Sequence, residues 1–185
     1  MFIERNIYKL FTIETILYIK FLKKKIMKYK GIWFYGLSGS GKTLLSKTIK
    51  EKFKKVFLID GDKVRKNISF DLDYSQKDRD IQVRRILGLC KIVIDAKLIP
   101  VASTVNFNKK VLKLCKKEKI LPIKIIRKNM TKVFKNHKTY LNKKNVFGLD
   151  LKYDNFKTII IINNNNNKFC QNLNFFETFL MKKDI

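Results

Sequence analysis

A glycine-rich segment at residues 36–43 constrains this chain more than any other feature. It fits the pattern G-x-x-x-x-G-K-[ST] of a phosphate-binding loop and consists of Gly36, Leu37, Ser38, Gly39, Ser40, Gly41, Lys42 and Thr43. The apolar run at 32–35 predicts a buried strand before the loop, and the apolar spacing over 44–53 predicts a helix after it. Backbone N–H groups in such a loop, together with the helix N-terminus, hold phosphate oxygens. The segment therefore predicts a binding site for a nucleoside triphosphate.

The last two residues of the motif carry its chemistry. In loops of this type the lysine, here Lys42, reaches the β- and γ-phosphates, and the hydroxyl of the next residue, here Thr43, ligates Mg²⁺. The alternative is a chance match in a glycine turn, but three of the seven glycines in the chain lie in this segment, between a predicted strand and a predicted helix. We therefore expect a nucleoside triphosphate and Mg²⁺ at this loop.

Apolar runs alternate with helical patterns over most of the chain. Strands are predicted at 32–35, 56–59, 98–104, 120–126 and 158–162, and helices at 44–53, 78–97, about 111–115 and 174–181. Apolar strands separated by helices are typical of a parallel sheet covered on both faces. The predicted fold class is α/β, a three-layer α/β/α P-loop fold with a mainly parallel five-stranded sheet. Ligands of such folds bind at the carboxyl ends of the strands, where the polar segments 60–62 and 103–104 lie.

The formal net charge of +27 is compatible with a nucleic-acid partner, but the distribution of the charge does not favour one. The lysines are spread along the whole chain with abundant Asn and Ile, a composition typical of an AT-rich genome, and no nucleic-acid-binding module is recognisable. We therefore expect no dedicated nucleic-acid function. A general positive field suits polyanionic nucleotide substrates.

Cysteine and histidine usage argues against several kinds of site. Cys90, Cys115 and Cys170 are odd in number, lie far apart and include no C-x-x-C pair, so neither a disulfide framework nor a zinc site is predicted. Cys90 lies in an amphipathic pattern that predicts a core position. His137 is the single histidine, which excludes a histidine cluster. A reduced, cytoplasmic environment fits this pattern best.

Two further segments carry little functional information. Residues 1–28 form a predicted N-terminal extension to a domain at 29–185, and three interpretations stay open: an amphipathic helix packed on the domain, a surface-binding helix, or sequence upstream of a true start at Met27. No apolar run there is long enough to span a membrane. The five asparagines at 163–167 are predicted to form a low-complexity turn or linker.

A second group of charged and polar residues follows the predicted strand at 56–59. The group comprises Asp60, Asp62, Arg65, Tyr74, Arg79 and Gln82. A kinase uses a carboxylate to orient the accepting hydroxyl and arginines to bind oxyanions of the acceptor. The alternative interpretation makes the aspartates helix caps and the arginines surface charges. From residue chemistry alone, both interpretations stay open.

The order of these motifs resembles the adenylylsulfate kinase family. That family carries the sequence GLSGSGKT after a Trp-containing strand, then DGDxxR, then an aromatic-Ser-x-x-Asp-Arg segment, which stand here at 36–43, 60–65 and 74–79. The resemblance covers about residues 31–163. It implies the P-loop kinase form of the fold, transfer of the ATP γ-phosphoryl group to the 3′-hydroxyl of adenylyl sulfate, a homodimer, and a place in sulfate assimilation.

The resemblance also implies roles for individual residues. The implied catalytic residues are Lys42 and Asp62, with Asp62 contacting the reacting hydroxyl or Mg²⁺. The implied substrate-binding residues are Asp60, Arg65, Tyr74, Arg79, Gln82, Lys138 and Phe147. The two arginines would hold the phosphosulfate and the Tyr74 ring would stack on the acceptor adenine, while Gln82 stands where the family has an asparagine.

The chain also departs from the family pattern after the third strand and in the lid. The family's Ile-Ser-Pro segment after the third strand appears as Val-Asn-Phe at 105–107. In the family's lid, here residues 138–156, Val146 stands at the position of a stacking phenylalanine, with Phe147 beside it. Two alternatives therefore stay open: a small-molecule kinase of the same fold with another nucleotide-like or sugar acceptor, and a non-catalytic nucleotide- or nucleic-acid-binding protein.

Overall fold

A five-stranded parallel sheet forms the centre of the computed structural model, which describes residues 27–141, 146–153, 160–164, 176 and 180. The strands are β1 (Gly31–Tyr35), β2 (Val56–Asp60), β3 (Ile99–Thr104), β4 (Ile120–Ile126) and β5 (Ile160–Asn163). Their order across the sheet is β2-β3-β1-β4-β5, and every neighbouring pair is parallel. The strand that leads into the glycine-rich loop therefore lies in the middle, with the ends of β3 and β4 on either side.

Helices cover both faces of this sheet. They are α1 (Lys42–Lys52), α2 (Gly61–Asn67), α3 (Gln76–Asp95), α4 (Lys109–Lys117), α5 (Thr131–Asn136) and α6 (Lys138–Leu141). Because successive side chains of a strand point to opposite faces of the sheet, β1 contributes side chains to two hydrophobic cores. Phe34 packs in one core with Leu45 of α1, and Trp33 packs in the other with Ile86 of α3. The predicted three-layer fold class is confirmed.

Polar side chains at the helix starts set where the helices begin. Ser75 precedes α3, and its hydroxyl accepts from the backbone N–H of Asp78 at 3.1 Å. Asn108 precedes α4 and accepts from Val111 N–H at 3.0 Å. Each cap satisfies a backbone donor that the first helical turn leaves without a partner. Ser75 thereby moves the start of α3 to residue 76, two residues before the predicted start.

The first four predicted strands agree with the observed ones to within one residue at each end. Ile160–Asn163 confirms part of the fifth strand, whose predicted start lies outside the described residues. Phe176 and Leu180 are helical and are buried in the same core as Leu45 of α1. The rest of the predicted helix at 174–181, and residues 1–26 of the predicted extension at 1–28, lie outside the described residues. The core position of Cys90 is confirmed.

The asparagine run corrects a prediction. Asn163 is the last residue of β5, and the side-chain amide of Asn164 donates to the backbone carbonyl of Ser40 at 2.9 Å. The interpretation of the run as a turn or linker is therefore wrong for Asn163, whereas Asn164 follows the strand and supports the phosphate loop. The prediction rested on the low-complexity composition of the run alone. It did not take into account that the carboxyl end of a parallel strand lies where the loops of the site converge.

Candidate active site

The glycine-rich loop joins β1 to α1 in a conformation that depends on glycine. Gly39 and Gly41 have φ angles of +76° and +101°, the left-handed region that glycine adopts without steric cost. A Cβ atom on Gly39 would lie 2.4 Å from Cγ1 of Val133 in α5, so the position also lacks space. Left-handed residues at a helix N-terminus turn successive backbone N–H groups into a concave anion site. The loop conformation is therefore of the kind that binds phosphate, and phosphate binding by these residues stays a prediction.

Three side chains hold the outer side of this loop. Tyr140 Oη donates to Ser38 O at 2.9 Å, Arg127 Nη1 to Gly39 O at 3.4 Å, and Asn164 Nδ2 to Ser40 O at 2.9 Å. In a trans peptide the N–H points opposite to the C=O. The N–H groups of Gly39 and Gly41, which follow two of these carbonyls, therefore point away from the braces, whereas the N–H of Ser40 donates to Leu37 O at 3.1 Å.

Lys42 is buried at the start of α1 and spans the loop. Its Nζ donates to Gly36 O at 2.9 Å and to Leu37 O at 2.8 Å. Burial lowers the pKa of Lys42 to about 8, although the negative charges of Asp62 and Asp60 act in the opposite direction. Desolvation disfavours the charged ammonium, and a phosphate brought to the loop would restore it.

Asp60 connects the loop to the segment that follows β2. Its Oδ1 accepts from the backbone N–H groups of Asp62 at 3.0 Å and Lys63 at 3.3 Å, so Asp60 is the N-cap of α2. Its Oδ2 accepts from Thr43 Oγ1 at 3.2 Å and from Ser103 Oγ at 3.4 Å. The cap interpretation is therefore correct for Asp60, and its role toward a substrate stays a prediction.

The oxygens of Thr43 and Asp60 fit a magnesium ion. Mg²⁺ prefers hard oxygen ligands and is usually held by one or two carboxylates together with substrate phosphates. Within the described ranges no group of three or more His, Cys, Asp or Glu side chains could hold a metal by itself. These oxygens therefore suit an ion that arrives with a nucleotide. Thr43 and Asp60 contact each other, and Asp62 lies two residues further along the chain.

Arg65 and Gln82 are joined across the gap between α2 and α3. Arg65 Nη2 donates to Gln82 Oε1, and Gln82 Nε2 donates to Gly61 O at 2.6 Å. Arg65 Nη1 also donates to Leu72 O at 3.2 Å and to Asp73 O at 2.7 Å. The Gln82 amide therefore ties Arg65 to the backbone that follows Asp60.

Tyr74 lies against both arginines of the predicted acceptor site. Its ring centre is 4.7 Å from the Arg65 guanidinium carbon and 5.3 Å from that of Arg79. Arg79 Nε donates to Tyr74 O at 3.0 Å, and the same guanidinium lies 5.5 Å from the Phe147 ring centre. Burial and the charge of Arg65 lower the pKa of Arg79. The structure thus brings four of the predicted substrate-binding residues together.

The lid contributes Phe147 and Tyr153 to this region. Their rings stack with centres 4.9 Å apart, and Tyr153 Oη donates to Val105 O at 2.9 Å. Burial raises the pKa of Tyr153, so it stays a neutral donor. Val146 is buried in another cluster, with Met130 and Tyr140. Phe147, rather than Val146, therefore faces Arg79.

The remaining predicted residue and several unpredicted ones complete the site. Lys138 begins α6, and its side chain lies outside the described part of the structure. Sequence reasoning missed Asp80, Asn108, Arg127, Tyr153 and Asn164 as structural partners of the loops. Only Asn108 carried a local signal, since it is a cap-type residue directly before an apolar helical pattern. The others act through contacts that are distant in sequence.

A phosphate-binding loop after the central strand of a parallel sheet, with a carboxylate at the end of β2, defines a P-loop nucleotide-binding protein of the three-layer α/β/α class. In the part of the chain that the structure describes, no helix is both long and apolar enough to cross a membrane.

Comparison with protein families gives the family within this class. Residues 28–150 match the adenylylsulphate kinase family model, and the chain belongs to this family. It is 32% identical over 90 residues to the adenylyl-sulfate kinase of Clostridium acetobutylicum, covering 45% of each chain. It is 36% identical over 92 residues to that of Bacteroides fragilis, covering 46% of each. These matched regions span less than half the length of the curated relatives.

Solved structures share the fold. An APS kinase of Mycobacterium tuberculosis in complex with AMPPNP and APS superposes with a TM-score of 0.70 and 19% identity, covering 82% of this chain and 97% of that one. An unliganded sugar kinase from Janibacter superposes with a TM-score of 0.57 and 13% identity, covering 83% and 95%. At these identities the likeness shows the fold alone. The family predicted from the motifs is confirmed.

Proposed function

We propose that this protein is an ATP-dependent adenylylsulfate kinase. It transfers the γ-phosphoryl group of ATP to the 3′-hydroxyl of adenylyl sulfate and gives 3′-phosphoadenylyl sulfate and ADP. The observation that carries the proposal is the hydrogen bond from Thr43 to Asp60, because it joins the phosphate loop to the DGDxxR segment that the family match includes. A protein that only bound nucleotide would have little need of the acceptor-side residues.

The phosphate side of the reaction rests on positioning and charge. The loop amides and Lys42 bind the β- and γ-phosphates and stabilise the charge that spreads over the transferring group. Thr43 and Asp60 hold Mg²⁺, which when bound neutralises the phosphate oxygens. Asp62 orients the accepting hydroxyl and takes its proton as the bond to phosphorus forms.

The acceptor side rests on the arginines and the rings between them. Arg65 and Arg79 bind the oxyanions of the phosphosulfate, since a guanidinium fork fits such oxygens. Tyr74 and Phe147 offer stacking surfaces for the adenine, and Lys138 adds positive charge from α6. Gln82 keeps Arg65 in place through the hydrogen bond between their side chains. Homodimer formation, a cytoplasmic location and a place in sulfate assimilation are part of this proposal through family membership.

One observation favours a different acceptor for the same kinase chemistry. The Arg65 guanidinium already donates hydrogen bonds to three oxygen atoms of the protein, namely Leu72 O, Asp73 O and Gln82 Oε1. Arg65 would have to break at least one of these hydrogen bonds in order to bind a phosphosulfate. A nucleotide-like or sugar acceptor with fewer negative charges would leave them intact.

The experiment is ADP release by the purified protein with Mg-ATP, with and without adenylyl sulfate. We expect strong stimulation by adenylyl sulfate, and none in Lys42→Ala. A panel of nucleoside and sugar acceptors in the same assay separates the two kinases. ATP binding without stimulation by adenylyl sulfate would contradict the proposal, and stimulation by another panel member would then identify the alternative.

A nucleic-acid-binding role is tested in parallel. It predicts tight binding to DNA or RNA that weakens steeply with salt, because affinity of that kind comes from counterion release. Such binding without acceptor-dependent ADP release would replace the proposed function with a non-catalytic one.

A further inference from the structure

The loop between β3 and α4, residues 105–108, is attached to α3 by a single carboxylate. Asp80 Oδ1 accepts from Asn108 Nδ2 at 2.9 Å and from Asn106 Nδ2 at 3.3 Å. It also accepts from Gln76 Nε2 at 3.0 Å, within α3 itself. Hydrogen bonds to an ionised acceptor are stronger than those between neutral groups. Asp80 is therefore the point at which α3 holds this loop.

The same loop has further attachments: Asn106 O accepts from Thr104 Oγ1 at 2.9 Å, and the Phe107 ring centre lies 6.2 Å from that of Trp33. The Phe107 ring stacks on Tyr35 of β1, with centres 4.0 Å apart and planes 11° apart. Val105 O accepts from Tyr153 Oη of the lid at 2.9 Å. The loop thus contacts the strand before the phosphate loop, the lid, and, through Asp80, the helix that carries Arg79.

The position of this loop relates it to the acceptor side. It follows β3, whose Ser103 hydroxyl contacts Asp60. The residue before Asp80 is Arg79, whose guanidinium reaches Phe147 of the lid. Asp80 itself is half-buried and makes its described bonds to the loop and to its own helix, and none to the phosphate loop. We therefore expect a substitution at Asp80 to disturb the acceptor side of the site more than the nucleotide side.

We propose that Asp80 is a positioning residue of the acceptor site. By binding Asn106 and Asn108 it fixes the β3–α4 loop relative to Arg79 and the lid, and so sets the affinity for the acceptor without contacting the reacting atoms. The proposal rests on the proposed function, since it assigns a role to the acceptor site of that reaction.

The test compares Asp80→Leu with Asp80→Asn. Leucine has a similar size and no acceptor oxygen, whereas asparagine keeps one acceptor oxygen and loses the charge. Asp95→Leu is the matched control, because Asp95 is exposed at the other end of the same helix. ADP release is measured with adenylyl sulfate and ATP varied separately, and each variant's melting temperature is recorded.

We expect Asp80→Leu to raise KM for adenylyl sulfate by about tenfold or more, which corresponds to about 1.4 kcal/mol of binding energy. We expect kcat and KM for ATP to stay within about twofold, because the interaction acts on binding of one substrate. Asp80→Asn recovers most of the wild-type KM, and Asp95→Leu leaves it unchanged. An equal effect of Asp80→Leu on both substrates, or none on either, would overturn the proposal.

A second readout separates this inference from the proposed function. If the wild type shows no stimulation by adenylyl sulfate, the proposed function fails, and amide hydrogen exchange of residues 105–108 then decides the role of Asp80. Faster exchange in Asp80→Leu, but not in Asp80→Asn or Asp95→Leu, supports the attachment of the loop. Equal exchange in all four proteins overturns it.

Discussion

The guanidinium carbon of Arg79 lies 5.5 Å from the centre of the Phe147 ring, so the first turn of α3 contacts the lid. A cation–π contact of this kind contributes about 0.5–2 kcal/mol, more where it is shielded from water. The same ring stacks on Tyr153, whose hydroxyl binds the β3–α4 loop. The lid and the acceptor side are therefore coupled through two aromatic side chains.

We predict that Phe147→Ala weakens acceptor binding more than ATP binding. Alanine removes both the contact with Arg79 and the stacking surface, so KM for adenylyl sulfate should rise about three- to thirtyfold, the range that the energy of such a contact supports. Phe147→Tyr keeps a ring and should stay within about threefold. Phe70→Ala is the control, because Phe70 is 81% exposed and outside the site. A larger effect on KM for ATP would show that Phe147 serves the nucleotide instead.

Lys42 gives a prediction about protons. Its pKa is lowered to about 8 by burial, and bound phosphates should return it toward the ordinary value of 10.5. ATP binding at pH 8 should therefore take up about half a proton, and much less at pH 7, where Lys42 is already mostly charged. Titration calorimetry in two buffers with different ionisation enthalpies measures this uptake. In Lys42→Met the pH-dependent part should vanish.

The same pKa predicts how stability changes with pH in the nucleotide-free protein. A lysine whose folded pKa lies below its unfolded pKa binds fewer protons when folded, so the free energy of unfolding rises with pH between the two values. From pH 7.5 to 9.5 the gain from Lys42 should be about 2 kcal/mol relative to Lys42→Met. Urea denaturation of both proteins at each pH tests the sign. A constant difference between them would contradict the burial of a charged Lys42.

Glycine substitutions at two positions should have opposite effects. Gly39→Ala places a Cβ 2.4 Å from Val133 at a φ of +76°, so we expect a loss of ATP affinity of more than about tenfold and lower stability. Gly88→Ala adds a Cβ with no atom within 4 Å, inside α3, and should stabilise the protein by about 0.5–1 kcal/mol. Equilibrium dialysis with ATP and urea denaturation measure the two effects. Unchanged ATP affinity in Gly39→Ala would show that the loop tolerates a different conformation.

Sequence reasoning predicted the parts of the fold that depend on local pattern. The four strands up to residue 126 are continuous apolar runs, and the phosphate loop depends on residues that are adjacent in the chain. The helices α5 and α6 were not predicted, since segments this short carry no resolvable period. For Asp60 the sequence left two interpretations open, a helix cap and a site residue. The structure shows why local chemistry could not separate them, because the same carboxylate caps α2 with Oδ1 and accepts from Thr43 with Oδ2.

The site partners that sequence reasoning missed share a physical cause. Asp80 meets Asn106 and Asn108 at separations of 26 and 28 residues, and Asn164 meets Ser40 at a separation of 124. The pattern of residues within one helix or strand does not predict hydrogen bonds between residues that lie this far apart in the sequence. The roles of Asp62, Lys138 and the arginines toward substrate stay predictions.

The single tryptophan offers a test of the buried polar contacts. Trp33 is fully buried, and its Nε1 donates to Thr104 Oγ1 at 2.8 Å. Thr104→Val leaves the indole N–H without this acceptor and Asn106 O without the hydroxyl that donates to it at 2.9 Å, which should cost about 1–3 kcal/mol of stability. Thr104→Ser keeps the hydroxyl and should cost less. Urea denaturation followed by Trp33 fluorescence measures both, and equal losses in the two variants would assign the effect to the missing methyl group.

The brace from Asn164 to the carbonyl of Ser40 has a consequence for biosynthesis. The phosphate loop is complete in sequence after 43 residues, yet one of its three outer supports comes 124 residues after the loop serine that it holds. On the ribosome, the segment that forms the nucleotide site therefore emerges long before the residue that fixes its shape. Competence to bind ATP should appear late in synthesis, as β5 joins the edge of the sheet.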